Sequence, residues 1–578
     1  MKKYILVFLL GTFVFSVVSS RETPESIRLN QVGFYPEAQK IAVITGAEGG
    51  IFIIQHSKTG EVVYKGALGD LHKSIFSDKV TRIADFSAFS KPGSYVLYVQ
   101  NVGTSYPFKI KNDVFRELTK GLIKSYYYQR MSIPLKTKYA GKWSRPEGHP
   151  DDKVFIHPSA VSPGRPEGTA ISSPKGWYDA GDYNKYIVNS GITMGTLLSL
   201  YEDFPGYFEK LDLNIPESRN KVPDLLDEIL WNLRWMLTMQ DPSDGGVYNK
   251  VTNAAFDGMI MPDKAIKQRY VVQKSTGAAL DFAAVMAQAG RIFKMFGNEL
   301  PGLADSCIYA AEKAWKWAIA NPGTFYNQRA NNKLYKPEIT TGEYGDRSFS
   351  DEFIWAACEL MVTTGRDEYY KAVNIFPDTL MPLPSWGNVR LSGYYTLIKF
   401  EKNLTAIAKA GLPMLKKRLI LSADKLLFGV SERAYMTPMG SSANEFVWGS
   451  NGVAANQGIL LIQVYRMTGD KKYLNNALSN LDYLLGRNAT GYSYVTGFGK
   501  KTPMFPHHRP SEADDISDPV PGLLAGGPNP GRQDGCKYSS ILPDEAYLDA
   551  VCSYASNEVA INWNAPAAYL AGAIDALY

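Results

Sequence analysis

Two aspartates three residues apart, Asp179 and Asp182, stand in the short run 176–183. Two carboxylates held close together disfavour each other's ionisation, so such a pair can supply one ionised base and one partner that shares a proton. Trp177 and Tyr178, directly before the pair, offer flat faces on which a ligand could stack. An aspartate-rich turn or a helix cap uses the same residue types, so this pair alone does not decide between catalysis and structure.

Glu558 is the second candidate, nine residues after Asp549 near the C-terminal end. It is the only charged residue in the run 554–564, where its neighbours are mostly Tyr, Ala, Val, Ile and Trp. Burial among such residues raises the pKa of a carboxyl group, and a general acid that works near neutral pH needs a raised pKa. A glutamate at the start of a helix is the structural alternative.

A third cluster, His507-His508-Arg509, lies between Pro506 and Pro510 in a chain with only six histidines. Adjacent side chains on an extended backbone point apart, so the two histidines are poorly placed to bind one metal ion. Hydrogen bonding to the hydroxyl groups of a sugar suits this cluster better.

Two carboxyl groups from distant loops favour one class of reaction. Inverting glycoside hydrolysis needs two carboxyls roughly 6.5–9.5 Å apart, with room for a water between the base and the sugar. The chain lacks a G-x-S-x-G elbow, a Walker loop and an H-E-x-x-H motif, so serine-nucleophile, phosphate and zinc-protease chemistry have no support. We therefore interpret one carboxyl of the Asp179 and Asp182 pair as a general base and Glu558 as a general acid.

With these motifs in this order, the chain resembles glycoside hydrolase family 9, the inverting cellulases, over nearly the whole mature length. The run 176–182 is similar to the family's D-A-G-D loop, in which the second aspartate is the base and the first assists. The resemblance therefore implies these roles for Asp182 and Asp179. It also implies, through the family's H-x-R signature, that His507 and Arg509 contact the substrate.

Two further stretches carry the same resemblance. Tyr547–Ala565 fits the family's second signature, which implies an assisting role for Asp549 and the role of the acid for Glu558. Ile27–Phe34 looks like the opening of the immunoglobulin-like domain that often precedes this family's catalytic domain.

Metal sites are also suggested by the resemblance. Some family members carry a Cys/His zinc site, but the chain has no matching cluster, and we expect no zinc. Calcium is frequent in the family, and the oxygen-rich loop Thr341–Asp346 with Asp351 suits a hard cation. A capped helix with solvated acids is the alternative there. We expect structural calcium at Asp346 and Asp351, and no cofactor in the chemistry itself.

The N-terminal region that precedes these motifs is patterned as β-strands. Short runs rich in Val, Ile, Tyr and Phe alternate with turn residues, which predicts an all-β immunoglobulin-like sandwich over residues 24–111. The predicted strands are Ile41–Ile44, Gly50–Gln55, Glu61–Tyr64, Thr81–Phe86, Ser94–Tyr98 and Tyr106–Ile110.

From Val114 onward the hydrophobic period is that of helices, as in Pro223–Gln240, where leucines and isoleucines recur three or four residues apart. About a dozen helices predict an all-α (α/α)6 barrel over residues 112–578, whose loops carry the functional residues. A helical solenoid is the rival, but no fixed repeat is found. The other predicted helices are Val114–Arg130, Thr193–Phe204, Thr276–Phe296, Ala304–Ala320, Asp351–Thr364, Asp367–Asn374, Ser392–Ala410, Pro413–Phe428, Ala454–Thr468, Tyr473–Leu485 and Pro566–Leu577.

Bulk properties narrow the class of protein further. A net charge of +5 over 578 residues gives no sign of a nucleic-acid binder. Residues 1–20 read as a signal peptide, so we expect a secreted bacterial protein, periplasmic or extracellular, without a membrane anchor. We expect a monomer. The four cysteines are scattered, and we expect mostly buried thiols.

The predicted function is cleavage of β-1,4-glucosidic bonds in a soluble β-glucan, with plain cellulose, mixed-linkage glucan and xyloglucan left open. One rival is exo action on short oligosaccharides, as by a β-glucosidase, a cellobiohydrolase or a glucosaminidase. The other is a non-catalytic glycan-binding protein, which would not need the set of Asp179, Asp182, Asp549 and Glu558.

Overall fold

The computed structural model describes residues 24–46 and 49–578, so the predicted signal peptide lies outside the described residues. The N-terminal part is a sandwich of two sheets. One sheet has the strand order β1-β3-β7-β6, and the other has the order β2-β10-β8-β4-β5 with β9 beside β8. The strands are β1 Ile27–Arg28, β2 Gly33–Phe34, β3 Ile41–Thr45, β4 Ile51–His56, β5 Val62–Ala67, β6 Leu71–Lys73, β7 Val80–Asp85, β8 Gly93–Val99, β9 Gly103–Thr104 and β10 Phe108–Ile110.

A strand can be predicted from sequence when it is long enough to show alternating buried and exposed side chains. In β8 the alternate residues Tyr95, Leu97 and Val99 are buried between the sheets, as a half-buried strand requires. All six predicted strands are present, each displaced by a few residues at most. The strands that were not predicted are two or three residues long, too short to show a period.

Eighteen helices follow in the described part of the chain. They are α1 Arg116–Tyr128, α2 Thr137–Ala140, α3 Ile187–Asp203, α4 Pro205–Phe208, α5 Asp224–Thr238, α6 Thr276–Phe293, α7 Leu303–Ala320, α8 Gln328–Leu334, α9 Ser350–Thr364, α10 Asp367–Lys371, α11 Arg390–Lys399, α12 Ala406–Ala410, α13 Leu412–Leu427, α14 Ser450–Thr468, α15 Lys471–Leu484, α16 Arg509–Ala513, α17 Tyr554–Asn557 and α18 Ile561–Leu577.

The long helices close into a ring. Each of α3, α6, α9 and α11 contacts the next, α13 joins α11 to α14, and α18 contacts both α14 and α3. Seventeen of the 18 residues of α6 are buried, against six of 18 in α7, so α6 lies inside the ring and α7 covers it from outside. The predicted (α/α)6 barrel is confirmed.

Three helices begin four to six residues earlier than the pattern predicts, and one of them is α14, which starts at Ser450 rather than Ala454. Helix α3 starts at Ile187 rather than Thr193, because its first turns bury polar residues such as Asn189 that serve the site described below. Helix α18 starts at Ile561 and contains Pro566. Helix α8 has little hydrophobic patterning, and the sequence did not predict it.

A small sheet that the sequence did not predict lies at one end of the barrel. Its order is β12-β11-β15-β14-β13, with bounds β11 Val154–Ile156, β12 Ala170–Ile171, β13 Lys185–Tyr186, β14 Lys250–Asn253 and β15 Arg269–Val271. The pairing of β13 with β14 brings Tyr186 opposite Lys250. Because β13 directly follows the D-A-G-D loop, this sheet holds that loop at the end of the barrel.

The sandwich packs directly on the barrel. Asn30 donates to Asp482 at 2.7 Å, and the ring of Tyr35 stacks on Tyr578 with centroids 4.4 Å apart. Ile41 and Val43 of β3 share a small apolar cluster with Tyr435 of the helical part. Within the described residues no helix is long and apolar enough to cross a membrane.

The cysteines correct one expectation. Cys307 and Cys358 are buried free thiols, as expected. Cys536 and Cys552 form a disulfide, so the expectation of mostly buried thiols is wrong for this pair. The two lie in loops at the surface rather than on buried helix faces, and sequence spacing alone does not reveal that the loops meet.

Candidate active site

One cleft of about 920 Å³ contains Asp179, Asp182 and Glu558. Its walls come from the loops just before the ring helices α3, α6, α9, α11, α14 and α18. The cleft is therefore at the end of the barrel where these helices begin. The residues that line it are Asp179, Ala180, Asp182, Tyr186, Phe256, Gly342, Glu343, Tyr344, Trp386, Val447, Trp448, His507, Arg509, Gln533, Tyr554, Glu558, Ala560, Asn562 and Trp563.

The D-A-G-D loop is held from behind by two buried aromatic residues. Trp177 is 1% exposed and donates from Nε1 to Glu228 at 2.8 Å. Tyr178 is also 1% exposed, and its hydroxyl bonds to His149 at 3.0 Å. Neither side chain lines the cleft. The prediction that they stack on a sugar is wrong, because both rings are buried, where they pack the loop against the barrel.

Each aspartate of the loop accepts hydrogen bonds at the cleft floor. Asp179 accepts from Asn189 at 2.7 Å and from the Tyr344 hydroxyl at 2.7 Å. Asp182 accepts from Asn184 at 2.5 Å. Burial, reinforced by the negative charge of Asp182, raises the pKa of Asp179 to about 8. Both effects favour the protonated form of Asp179.

Glu558 faces the pair from the segment before α18. Its backbone pairs with His507 in a short parallel bridge and accepts a hydrogen bond from the Gly526 N–H at 2.8 Å. Burial, followed by the charges of Asp182 and Asp179, raises the pKa of Glu558 to about 8. A carboxyl group with that pKa is protonated at neutral pH and can donate its proton.

Gly181 lets the third predicted cluster reach the loop. A Cβ atom at this position would lie 2.1 Å from the carbonyl oxygen of His507. Arg509 donates from Nη1 to the Gly181 carbonyl at 2.6 Å and from Nε to the Asp257 carbonyl at 3.0 Å. His507 and Arg509 both line the cleft, at the places where the resemblance predicts substrate contacts.

The two histidines point apart, as predicted. His507 lines the cleft, and its Nδ1 bonds to the Val551 carbonyl at 2.6 Å. His508 is 1% exposed behind the cleft, where it contacts Gln129 at 3.0 Å. Burial lowers the pKa of His508 to about 3, so that ring is neutral.

Asp549 lies behind the cleft rather than in it. Its carboxylate accepts from the backbone N–H groups of Met504 and Phe505 at 2.8 and 2.9 Å, and from Asn557 at 3.0 Å. It thereby ties the segment before His507 to the residue before Glu558. Its contacts are those of a residue that positions other groups.

Sequence reasoning missed the aromatic walls of the cleft. Phe256 and Trp448 are 44% and 42% exposed, large values for residues of this size, and Trp386 and Trp563 lie beside them. Exposed aromatic faces at a cleft suit the apolar faces of sugar rings. Trp386 and Trp448 each precede a glycine in a loop, and this is the only sequence signal that marks them.

The predicted calcium site contains four carboxyl groups that lie close to one another. Asp346 and Asp351 lie close to Asp281 and Glu352, and burial and mutual repulsion raise the pKa of Asp346 to about 7. The carboxyl oxygens of Asp281 and Glu352 are buried without a hydrogen-bond partner. Oxygen donors suit calcium, yet among the described residues no three acidic, His or Cys side chains are arranged to hold a metal. Calcium at Asp346 and Asp351 therefore stays a prediction.

The cleft brings together what acid–base cleavage of a glycoside requires. Asp179, Asp182 and Glu558 line one cleft, the pKa of Glu558 is raised, and exposed aromatic faces lie in the same cleft. The five predicted residues that meet in the cleft are Asp179, Asp182, His507, Arg509 and Glu558.

Comparison with known proteins gives similarities along the whole chain. Residues 115–571 match the model of glycosyl hydrolase family 9, and residues 22–104 match that of the cellulase N-terminal ig-like domain. A xyloglucan-specific endo-β-1,4-glucanase of Bacteroides ovatus is 48% identical over 579 residues, which cover 100% of this chain and 98% of that protein. Endoglucanase D of Acetivibrio thermocellus is 34% identical over 556 residues, 95% of this chain and 83% of that protein. A solved Bacteroides ovatus GH9 structure superposes with a TM-score of 0.92 at 48% identity, covering 96% and 99% of the two chains.

Proposed function

The chain belongs to glycosyl hydrolase family 9, and on that premise we propose that it cleaves internal β-1,4-glucosidic bonds of a soluble β-glucan with inversion. The observation that carries the proposal is that Asp182 and Glu558, 376 positions apart in sequence, line one cleft of about 920 Å³. Inversion requires two carboxyls that flank the sugar with a water between them.

In the proposed reaction Glu558 gives its proton to the glycosidic oxygen as the bond from C1 to that oxygen breaks. Asp182 takes a proton from a water whose oxygen attacks C1 from the opposite face. Asp179, protonated by burial, stabilises the neighbouring carboxylate and orients the water. When the sugar leaves, Glu558 is ionised and Asp182 protonated, and exchange with solvent restores both.

The remaining cleft residues hold the polymer. Arg509 and His507 line the same wall as Glu558 and supply hydrogen-bond donors for sugar hydroxyls. Phe256 and Trp448 present exposed faces on which sugar rings stack. Asp549 contributes indirectly, because it holds the backbone of Met504 and Phe505, which precedes His507.

Xyloglucan is the substrate that we propose to test first. The support is the 48% identity, along the full length, to a protein described as xyloglucan-specific. Plain cellulose and mixed-linkage glucan are the comparison substrates, since they share the same β-1,4 bond.

The proposal is tested by turnover on soluble xyloglucan, mixed-linkage glucan and carboxymethyl cellulose. Asp182→Asn and Glu558→Gln should each lower kcat by about 10²–10⁴-fold, the usual worth of one acid or base, while the melting temperature stays within the range of the wild type. Glu299→Gln, an exposed acid outside the cleft, is the matched control.

Two outcomes would contradict it. Wild-type protein that hydrolyses no β-1,4-glucan overturns the activity, and near-normal turnover in either cleft variant overturns that residue's role. Release of glucose or cellobiose with little loss of viscosity would indicate exo action instead.

Three further expectations stay proposals. We propose export through residues 1–20, a division into an immunoglobulin-like domain over 24–111 and a catalytic domain over 112–578, and a monomer. Calcium at Asp346 and Asp351 stays a prediction, and no step of the reaction depends on it.

A further inference from the structure

The hydroxyl group of Tyr186 is directed at the proposed base. Tyr186 lies on β13 and is 1% exposed. Its hydroxyl donates to Oδ2 of Asp182 at 3.1 Å and accepts a hydrogen bond from the N–H of Gly342 at 3.1 Å. Because a backbone N–H can only donate, the phenolic hydrogen is left for the carboxylate.

Asn184 donates to the same oxygen. Its Nδ2 lies 2.5 Å from Oδ2 of Asp182, while its own Oδ1 accepts from the N–H of Asn253 at 3.0 Å and faces Arg269 at 3.4 Å. These two contacts fix the amide so that its NH₂ group faces Asp182. In the described part of the chain, both side-chain hydrogen bonds to Asp182 therefore fall on Oδ2.

Lys250 contacts Tyr186 and the residues around its hydroxyl. Its ammonium is buried and donates to Gln328, to Thr341 and to the Gly342 carbonyl at 2.7, 3.0 and 2.5 Å. It also lies 5.4 Å from the centre of the Tyr186 ring. Lys250 thus holds Gly342, whose N–H in turn donates to the Tyr186 hydroxyl.

The cation of Lys250 has only neutral hydrogen-bond partners among the described residues. The negative groups that act on it at longer range are those of Asp182, Glu343 and Asp179. A buried cation without a close counter-ion favours ionised carboxylates nearby. Burial lowers the pKa of Lys250 to about 7, so part of its charge is lost at neutral pH, and its main contribution here is its hydrogen bonds to Thr341 and Gly342.

We propose that Tyr186 is a positioning residue for the base: with Asn184 it occupies Oδ2 of Asp182, so that Oδ1 takes the proton from the attacking water. Lys250 keeps Tyr186 in that position through Gly342. The inference rests on the proposed function and adds which oxygen reacts. The O–H bond of the water breaks, its proton joins Oδ1, and its oxygen bonds to C1 while Glu558 protonates the leaving oxygen.

Several other titratable groups face Asp182 and are left unchanged by the test. Asp179 and Glu558 line the same cleft, and the charge of Asp182 shifts both toward the protonated form. His507 faces it from the segment beside Gly181, and Lys250 from β14. Substitution of Tyr186 alone therefore removes the two hydrogen bonds of its hydroxyl, the one to Asp182 and the one from Gly342, and changes no charged group.

The experiment compares Tyr186→Phe with wild type on a soluble β-glucan. We expect kcat to fall about tenfold, the worth of one hydrogen bond to a charged group, with KM changed less than about twofold. The acidic limb of the kcat/KM profile should move to higher pH by about one unit, because the ionised base has lost a donor. Tyr183→Phe is the matched control, since its buried hydroxyl donates to the Ile260 carbonyl instead.

Lys250→Met is the second variant, and it should change kcat and the acidic limb in the same direction. Melting temperatures are measured for all variants, and Lys250→Met decides alone if Tyr186→Phe does not fold. A folded variant with the turnover and pH profile of wild type overturns the inference, as does an equal loss in Tyr183→Phe. If the wild type itself cleaves no β-1,4-glucan, the proposed function has failed instead.

Discussion

At the scale of single residues, the three carboxyl groups of the cleft have different surroundings, and these favour different protonation states. Asp179 and Glu558 are pushed toward the protonated form by burial and by the charge of Asp182. Asp182 has two donors on one oxygen and a buried lysine behind it. Environments that differ in this way assign the acid and the base.

This assignment predicts the upper pH limit of activity. A general acid is lost as pH rises through its pKa, and that of Glu558 is about 8. We expect kcat/KM on a soluble β-glucan to hold through neutral pH and to fall about tenfold per unit above about pH 8. A rate profile between pH 4 and 10 measures it. A basic limb centred near pH 6 or lower would contradict the assignment, and melting curves at each pH exclude unfolding as the cause.

The residues that we propose to react could be found from sequence because their motifs are local. Asp179 and Asp182 share one loop, and Glu558 is isolated in an apolar run. Trp177 and Tyr178 were assigned wrongly because sequence shows that a ring is present but not which way it faces. Tyr186 and Lys250 could not be found, since their contact depends on a strand pairing between distant segments.

At the scale of elements, the site depends on one loop packing against another without a side chain between them. Gly181 has no room for a Cβ atom, because the His507 carbonyl oxygen would lie 2.1 Å from it. The contact brings His507 and Arg509 to the wall of the cleft.

Gly181→Ala should therefore displace the 507–509 segment. We expect kcat/KM to fall about 10²-fold, as small misplacements of a binding wall can cause, and stability to drop by about 1–3 kcal/mol. Gly206→Ala is the control, since a Cβ there meets nothing within 4 Å. Steady-state kinetics and thermal unfolding measure both variants. Wild-type kinetics in Gly181→Ala would show that the segment is not positioned by this contact.

Element prediction from sequence succeeded where one face of a helix or strand is buried. Amphipathic helices such as α5 and α15 end within two residues of their predicted limits. The predicted start of helix α3 is too late, because its first turns bury Asn189, which donates a hydrogen bond to Asp179, and not only apolar residues. The small sheet was missed because its strands are two to four residues long and are set by the site that they hold.

At the scale of the whole molecule, the sandwich and the barrel form one packed unit. The loop 74–79 of the sandwich meets Asp544 and Glu545, which lie between the two cysteines of the disulfide. The same segment carries Asp549, which accepts hydrogen bonds from the N–H of Phe505 and from Asn557. The sequence indicated both domains, but not that the sandwich contacts this segment of the barrel.

The central claim is that a water, activated by Asp182, attacks C1 from the face opposite the bond that Glu558 protonates. The stereochemistry of the first product tests it most directly. Proton NMR spectra collected during the first minutes of hydrolysis of a cello-oligosaccharide or a soluble xyloglucan should show the new reducing end appear as the α anomer, before mutarotation. Initial formation of the β anomer would contradict the account, because it requires a covalent intermediate on the enzyme.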